Sequence, residues 1–239
     1  MNKPVILITG ANRGIGLEIC YLLGAENLFT IIFSSRNSTE GQKKTDEIRK
    51  RGIDIHYLHL DLSDHKSMMD KIDEIRKRFG SISILVNNAG VYLDSENLDE
   101  FPSFLEVTPQ ILEKTLDINF FGPILLSKLI YSLINENGLI INVSSGGGKL
   151  NTTGDRSGHI AYRLSKMLLN VFTKSFSKLK TQKEIKIISV CPGWVKSSMG
   201  GLNAPRSLQE GAMDILEVIK NHSFHKSGVF LYNLAEQKF

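Results

Sequence analysis

"VILITGANRGIG", residues 5–16, decides the fold. Val5–Thr9 is a short, unbroken apolar run, the composition of a strand covered on both faces. Gly10, Gly14 and Gly16 follow in G-x-x-x-G-x-G spacing, and the chain then enters the helical pattern "IGLEICYLL". Strand, glycine turn and helix in that order open a strand–helix–strand unit. The glycines permit a tight turn, close approach of backbone to a pyrophosphate, and close packing of helix on strand. The amides at the helix start and the positive end of its dipole then favour anionic oxygen. Asn12, Arg13 and Ile15 complete this candidate phosphate loop.

Working outward, apolar β-type runs recur at Phe29–Ser34, Asp54–Leu60, Ile82–Val86, Leu139–Val143, Ile185–Cys191 and Val229–Tyr232. Helical patterns separate them. Such alternation implies crossover connections and a parallel sheet with helices on both faces. The expected fold is one doubly wound, Rossmann-like α/β domain of about seven strands over residues 1–239. The similar runs "DEIRKRG" (46–52) and "DEIRKRFG" (73–80) read as helix ends, with cations in the last turn and a glycine beyond.

Composition narrows the function. Hydrophobic residues make up 41% and charged residues 23% of 239, enough apolar side chain for a buried core. No apolar run reaches the ~20 residues of a membrane span, and no secretory signal precedes "VILITG". Cys20 and Cys191, in a helix and at a strand end, read as reduced thiols, so the expected compartment is the cytoplasm. A formal charge of +4 asks for an anionic partner, but the basic runs are helix ends and not one face, which argues against nucleic acid. His56 and His59 fall on opposite faces of their strand, and His222 and His225 sit in a short polar segment with no acidic partner at ligand spacing, so no metal is expected.

In a doubly wound sheet the ligand lies beyond the carboxyl ends of the strands. Those ends are Thr9-Gly10, Ser35-Arg36, Asp61, Asn87-Asn88-Ala89-Gly90, Ser144-Ser145 and Pro192-Gly193, nearly all small, polar or charged. About 20 residues past a glycine loop, NAD sites offer an acid to the adenosine ribose. Here Ser35 and Arg36 stand instead, and Arg36 suits a bidentate contact to a 2′-phosphate. With Arg13 as a second cation, the expected coenzyme is NADP(H). In "AYRLSKMLLN" (161–170), Tyr162 and Lys166 lie one helical turn apart, within reach of each other.

These segments resemble the short-chain dehydrogenase/reductase family, in its compact single-domain branch, over nearly the whole chain and in order. "TGANRGIG" resembles its coenzyme loop, "LDLSD" its adenine-side acid at Asp61 beside Leu62, and "NNAG" its motif at Asn88, Ala89 and Gly90. "DINFFG" supplies its helix asparagine, Asn119; "NVSS" its serine; "YRLSK" its Tyr–Lys pair; "PGWVKS" its nicotinamide loop, with Pro192, Gly193, Val195 and Ser197. Several of these stretches look most like NADPH-dependent carbonyl reductases.

The resemblance implies an NADPH-dependent reductase of a ketone or aldehyde, in which Tyr162 protonates the carbonyl oxygen as hydride arrives. It implies that Lys166 holds the nicotinamide ribose, and that Asn119 holds a water linking the lysine to solvent. A tyrosine titrates near 10. Lowering it by ~3 units needs about 4 kcal/mol, which one cation ~4 Å away supplies at an effective dielectric of ~20. Lys166 is therefore expected to pull the phenol down. The family's serine, followed two residues later by glycine, fits Ser145 with Gly148; Ser144 is expected to satisfy local backbone and stands in reserve.

Ser197 occupies the family's usual threonine position, and Ser198 stands where the carbonyl reductases commonly carry aspartate. The pocket is expected from Tyr92 and from segments 149–159 and 194–204. The short stretch between Ser145 and Tyr162 leaves the Asn119 and Tyr162 helices free to pair as a homodimer or homotetramer. The complete Asn119–Ser145–Tyr162–Lys166 set argues against a non-catalytic NADP sensor, and the short tail after Gly193 against a sugar-nucleotide epimerase. One more expectation concerns Asn119: it precedes Pro123 by four residues, and proline cannot donate to its carbonyl, so the helix should kink there.

Overall fold

The computed structural model describes residues 3–95, 103–150, 158–180 and 183–239. Its strands are β1 (Val5–Ile8), β2 (Thr30–Ser35), β3 (Ile55–His59), β4 (Ile82–Asn87), β5 (Ile134–Val143), β6 (Lys186–Cys191), β7 (Val229–Tyr232) and β8 (Ala235–Gln237). They form one sheet in the order β3-β2-β1-β4-β5-β6-β7-β8. The first seven are parallel and β8 is antiparallel to β7. From β1 the chain steps outward to β3, then crosses back to β4 on the other side of β1. The crevice at that reversal lies between the ends of β1 and β4.

Side chains alternate across each strand, so the sheet feeds two cores. Ile6, Ile8, Ile31, Ile141 and Ile188 pack under α1 (Gly14–Glu26), α2 (Ser38–Arg49) and α7 (Leu208–Asn221), through Ile19, Leu23, Ile48, Ile215 and Ile219. Leu7, Ile32, Leu85 and Ile140 pack under α3 (Met68–Phe79), α5 (Gly122–Ile130) and α6 (Ile160–Phe176), through Ile72, Leu126, Ile130 and Phe172. The two acid-then-base runs do end α2 and α3, with Gly52 and Gly80 at φ +81° and +76°.

Two differences from the expected strands have local causes. β5 starts at Ile134, not Leu139, because "NENG" is a bulge inside the strand: Asn137 sits at φ +59° and the pairing jumps from Ile82↔Ile134 to Ile84↔Leu139. The expected seven strands become eight because Ala235–Gln237 folds back on β7; three residues with two charged or polar side chains carry no apolar run to read.

Where a kink is expected, the helix has a π turn. Between α4 (Pro109–Leu116) and α5, residues Asp117–Phe121 form a π turn, and the Gly122 amide reaches back five residues to the Asp117 carbonyl. The whole helical run Pro109–Leu133 is 25 residues, and its most apolar 18-residue stretch has a mean hydropathy of 1.2. Length and composition alone would let this run cross a membrane, as they would for many core helices. Here it is a core helix, with α5 against α3 and α4 against α6.

Candidate active site

The glycine loop divides its labour among three positions. Gly10 (φ +64°) passes so close to Ala89 that a Cβ would stand 2.7 Å from the Ala89 Cα, while Gly16 leaves only 2.4 Å to the Asn88 Nδ2. Gly14 (φ +59°) faces open space. Asn88 is a brace: its Nδ2 donates to the carbonyls of Thr9 (2.8 Å) and Gly10 (3.2 Å). Helices α2, α4 and α7 have side-chain caps at Asn37, Thr108 and Ser207, but α1 has neither a capping side chain nor an acid in its first turn. Its free amides, behind the open Gly14, fit an anionic pyrophosphate.

At the end of β2, Arg36 is exposed, as is Arg13 in the loop, and neither guanidinium has a bonded partner among the described residues. Ser35 differs from expectation. It is buried, its hydroxyl donates to the Asn37 carbonyl, and its own carbonyl accepts from the Tyr57 phenol, so its side chain faces inward. The Asp61 Oδ1 accepts from the Ser63 amide and hydroxyl. Leu62 is buried against Gly122. Asn12 and Ile15 are partly buried in the loop, Ile15 on the core.

Across the crevice, Ser145, Tyr162 and Lys166 converge. The Ser145 hydroxyl lies beside the Tyr162 phenol and accepts the Gly147 amide at 3.1 Å. Gly148 lets this turn touch α6, since a Cβ there would stand 2.8 Å from the Lys166 backbone carbon. Ser144 bonds a side chain and not the backbone as expected: its hydroxyl donates to the Asn170 Oδ1 at 2.7 Å, away from Tyr162. The Lys166 Nζ donates to the Val143 carbonyl at 2.8 Å and lies 5.6 Å from the centroid of the Tyr162 ring. A Cβ on Gly90 would stand 3.2 Å from the Asn119 Oδ1 and 3.7 Å from that Nζ.

The expected lowering of the phenol is not met. Burial pushes Tyr162 up to about 12; the Ser145 hydroxyl opposes this, while Cys191 and Asp94 add to it. The ammonium lies over the ring, so it does little for a phenolate oxygen. Burial also lowers Lys166 to about 8. At neutral pH both groups hold their protons.

Asn119, in the π turn, clamps the segment after β4. Its Oδ1 accepts the Val91 amide and its Nδ2 donates to the Val91 carbonyl, both at 2.8 Å, with a further bond to the Ser165 Oγ. That segment carries Asp94, which sequence reasoning missed. Its carboxylate accepts the amides of Ala161 (2.8 Å) and Tyr162 (3.0 Å). Nothing local to "GVYLDS" announces a cap 67 residues away. Tyr92, expected in the pocket, packs edge-on to Tyr162 at 5.8 Å and bonds the His159 Nδ1. Of the expected pocket segment 149–159, residues 151–157 lie outside the described residues.

The loop after β6 is built on another missed residue. The Arg206 guanidinium donates to the Pro192 carbonyl and the Asp214 carboxylate, both at 2.7 Å, and lies against Gly193, where a Cβ would stand 2.9 Å from its Nη1. Val195 is buried and pairs with Arg206. The Ser197 Oγ accepts the amides of Met199 and Gly200, leaving its proton to donate. The Cys191 Sγ accepts the amides of Gly146 and Gly193. Among the described residues, no group of three or more His, Cys, Asp or Glu side chains could hold a metal.

The sequence profile of the short chain dehydrogenase family matches residues 4–206, which takes in every site residue expected from the sequence. The chain belongs to that family. It is therefore an oxidoreductase. Among similar members, (+)-neomenthol dehydrogenase of Arabidopsis thaliana is 26% identical, over 98% of this chain and 97% of the relative. Carbonyl reductase [NADPH] 1 of Sus scrofa is also 26% identical, over 88% and 85%. Among solved structures, the carbonyl reductase Sniffer of D. melanogaster superposes with a TM-score of 0.86 at 27% identity and full coverage of both chains. The NADPH-bound carbonyl reductase from chicken fatty liver, at 24% identity and TM-score 0.86, shares the fold.

Proposed function

We propose that this chain reduces the carbonyl of a small ketone or aldehyde with NADPH. The observation that carries the reading is the Ser145–Tyr162 pair, with the Lys166 ammonium beside it, across the crevice from the uncapped start of α1. The glycine loop and α1 amides would hold the pyrophosphate. Arg36 and Arg13, exposed and unpaired among the described residues, would hold a 2′-phosphate that no carboxylate at the end of β2 repels. Lys166 would hold the nicotinamide ribose, and the Ser197 hydroxyl the carboxamide. Relatives named as NADPH carbonyl reductases support the same coenzyme.

When bound, NADPH supplies the hydride. Ser145 orients the carbonyl oxygen and steadies the charge that develops there. Tyr162, protonated at neutral pH, gives its phenolic proton to that oxygen. The carbonyl would thereby become an alcohol, and the Tyr162 phenolate would regain its proton from solvent. Asn119 keeps the Val91 segment and α6 in register while this happens. Exposed Phe121 and Val171, beside and on α5 and α6, support association through these helices as a homodimer or homotetramer. Both cysteines are buried and free, in keeping with the cytoplasm.

The test is a panel of ketones and aldehydes followed by NADPH absorbance loss. Turnover of at least one is expected, with NADPH bound at least tenfold tighter than NADH. Tyr162→Phe is expected to abolish turnover and leave NADPH affinity within twofold. Undiminished turnover in that variant would give the proton another source, and equal coenzyme affinities would remove the arginines' role.

A further inference from the structure

The first turn of α6 is held from outside the helix. Its N-cap residue, His159, has left-handed backbone (φ +59°) and makes no side-chain cap. The cap comes from Asp94, only 7% exposed, whose two carboxylate oxygens take one amide each, those of Ala161 and Tyr162. A helix start favours such a carboxylate through both its orphan amides and its dipole. The contact falls on the backbone of the tyrosine itself. Asp94 is in turn three residues from Val91, which Asn119 grips through both backbone groups. Asn119, Val91, Asp94 and Tyr162 thus form one linked run from the π turn to the phenol.

We propose that Asp94 is a positioning residue for carbonyl reduction, fixing the first turn of α6 and with it the place of the Tyr162 phenol beside Ser145. Tyr92 serves the same end from the same segment, its ring against Tyr162 and its hydroxyl on His159. The role rests on the Tyr162 reading given above. Proton transfer is sensitive to distance, so a loosened first turn costs turnover before it costs coenzyme, whose pyrophosphate would sit on α1.

Asp94→Ala and Asp94→Asn test this by hydrogen exchange and by kinetics. In Asp94→Ala the amides of residues 161 and 162 should exchange at least tenfold faster, while those of 167–176 keep their protection. kcat should fall at least tenfold with the NADPH Kd within twofold. Asp94→Asn retains one acceptor oxygen and should recover most of the lost kcat; it also carries the test should the alanine variant not fold. Unchanged exchange at 161 and 162, unchanged kcat, or a parallel loss of kcat, coenzyme affinity and Tm would each overturn the proposal. Exchange is read without substrate, so a wild-type chain that reduces no carbonyl would sink the proposed function and leave the cap still measurable.

Discussion

At Lys166 two demands oppose each other. Burial beside Val143 and Gly90 brings the ammonium to the tyrosine, but desolvation disfavours its charge and lowers its pKa to about 8. The charged form is therefore complete near pH 6 and is lost as pH rises through about 8. The Tyr162 proton outlasts it, being held to about 12. If Lys166 contributes as a cation, kcat/KM for reduction should be level from pH 6 to 7 and decline through about 8, well before the phenol ionises. A profile still level at pH 9.5 would remove the charge of Lys166 from the mechanism. The identities of both residues could be read from "YRLSK". Their environment could not: the Ser145 hydroxyl and the carboxylate of Asp94 come from distant parts of the chain, which no spacing within the helix encodes.

Among the elements, the 109–133 run shows how one residue type shapes a site. Proline at 123 can neither donate to the residue 119 carbonyl nor sit comfortably against it. The helix widens to a π turn, a form that often marks functional positions. Gly122 is required beside it, since a Cβ would stand 2.7 Å from the Leu62 Cβ. Pro123→Ala returns an amide donor and should let the α-helical bond form, drawing Asn119 away from Val91. Turnover should fall several-fold with NADPH affinity within twofold, and a crystal structure of the variant should show the turn narrowed. An intact π turn in that structure would mean that Pro123 does not set it. The irregularity was legible from proline and glycine together. Its widening by one residue was not, because a proline in a helix can be met by a bend as well as by a wider turn.

For the whole molecule, the parallel sheet was legible because its strands are buried on both faces and read as apolar runs. The site was legible because it lies at their ends. The far edge escaped: β8 has no apolar signature and exists only through β7. Its consequences are nonetheless physical. It covers the outer edge of β7, while the Phe239 ring stacks at 6.1 Å on fully buried Phe230. The Lys149 Nζ donates to the Gln237 Oε1 at 2.8 Å, tying this edge to the turn after Ser145. Removing residues 235–239 should bare a strand edge of unpaired amides and carbonyls next to an exposed aromatic. An open edge of that kind recruits other strands, and the lost ring contact with its burial should cost about 2–4 kcal/mol. Calorimetry should therefore show a lower Tm for the truncated chain, and light scattering a concentration-dependent growth in mass absent from the full chain. A truncated chain with unchanged Tm and mass would mean that β8 decorates the sheet without closing it.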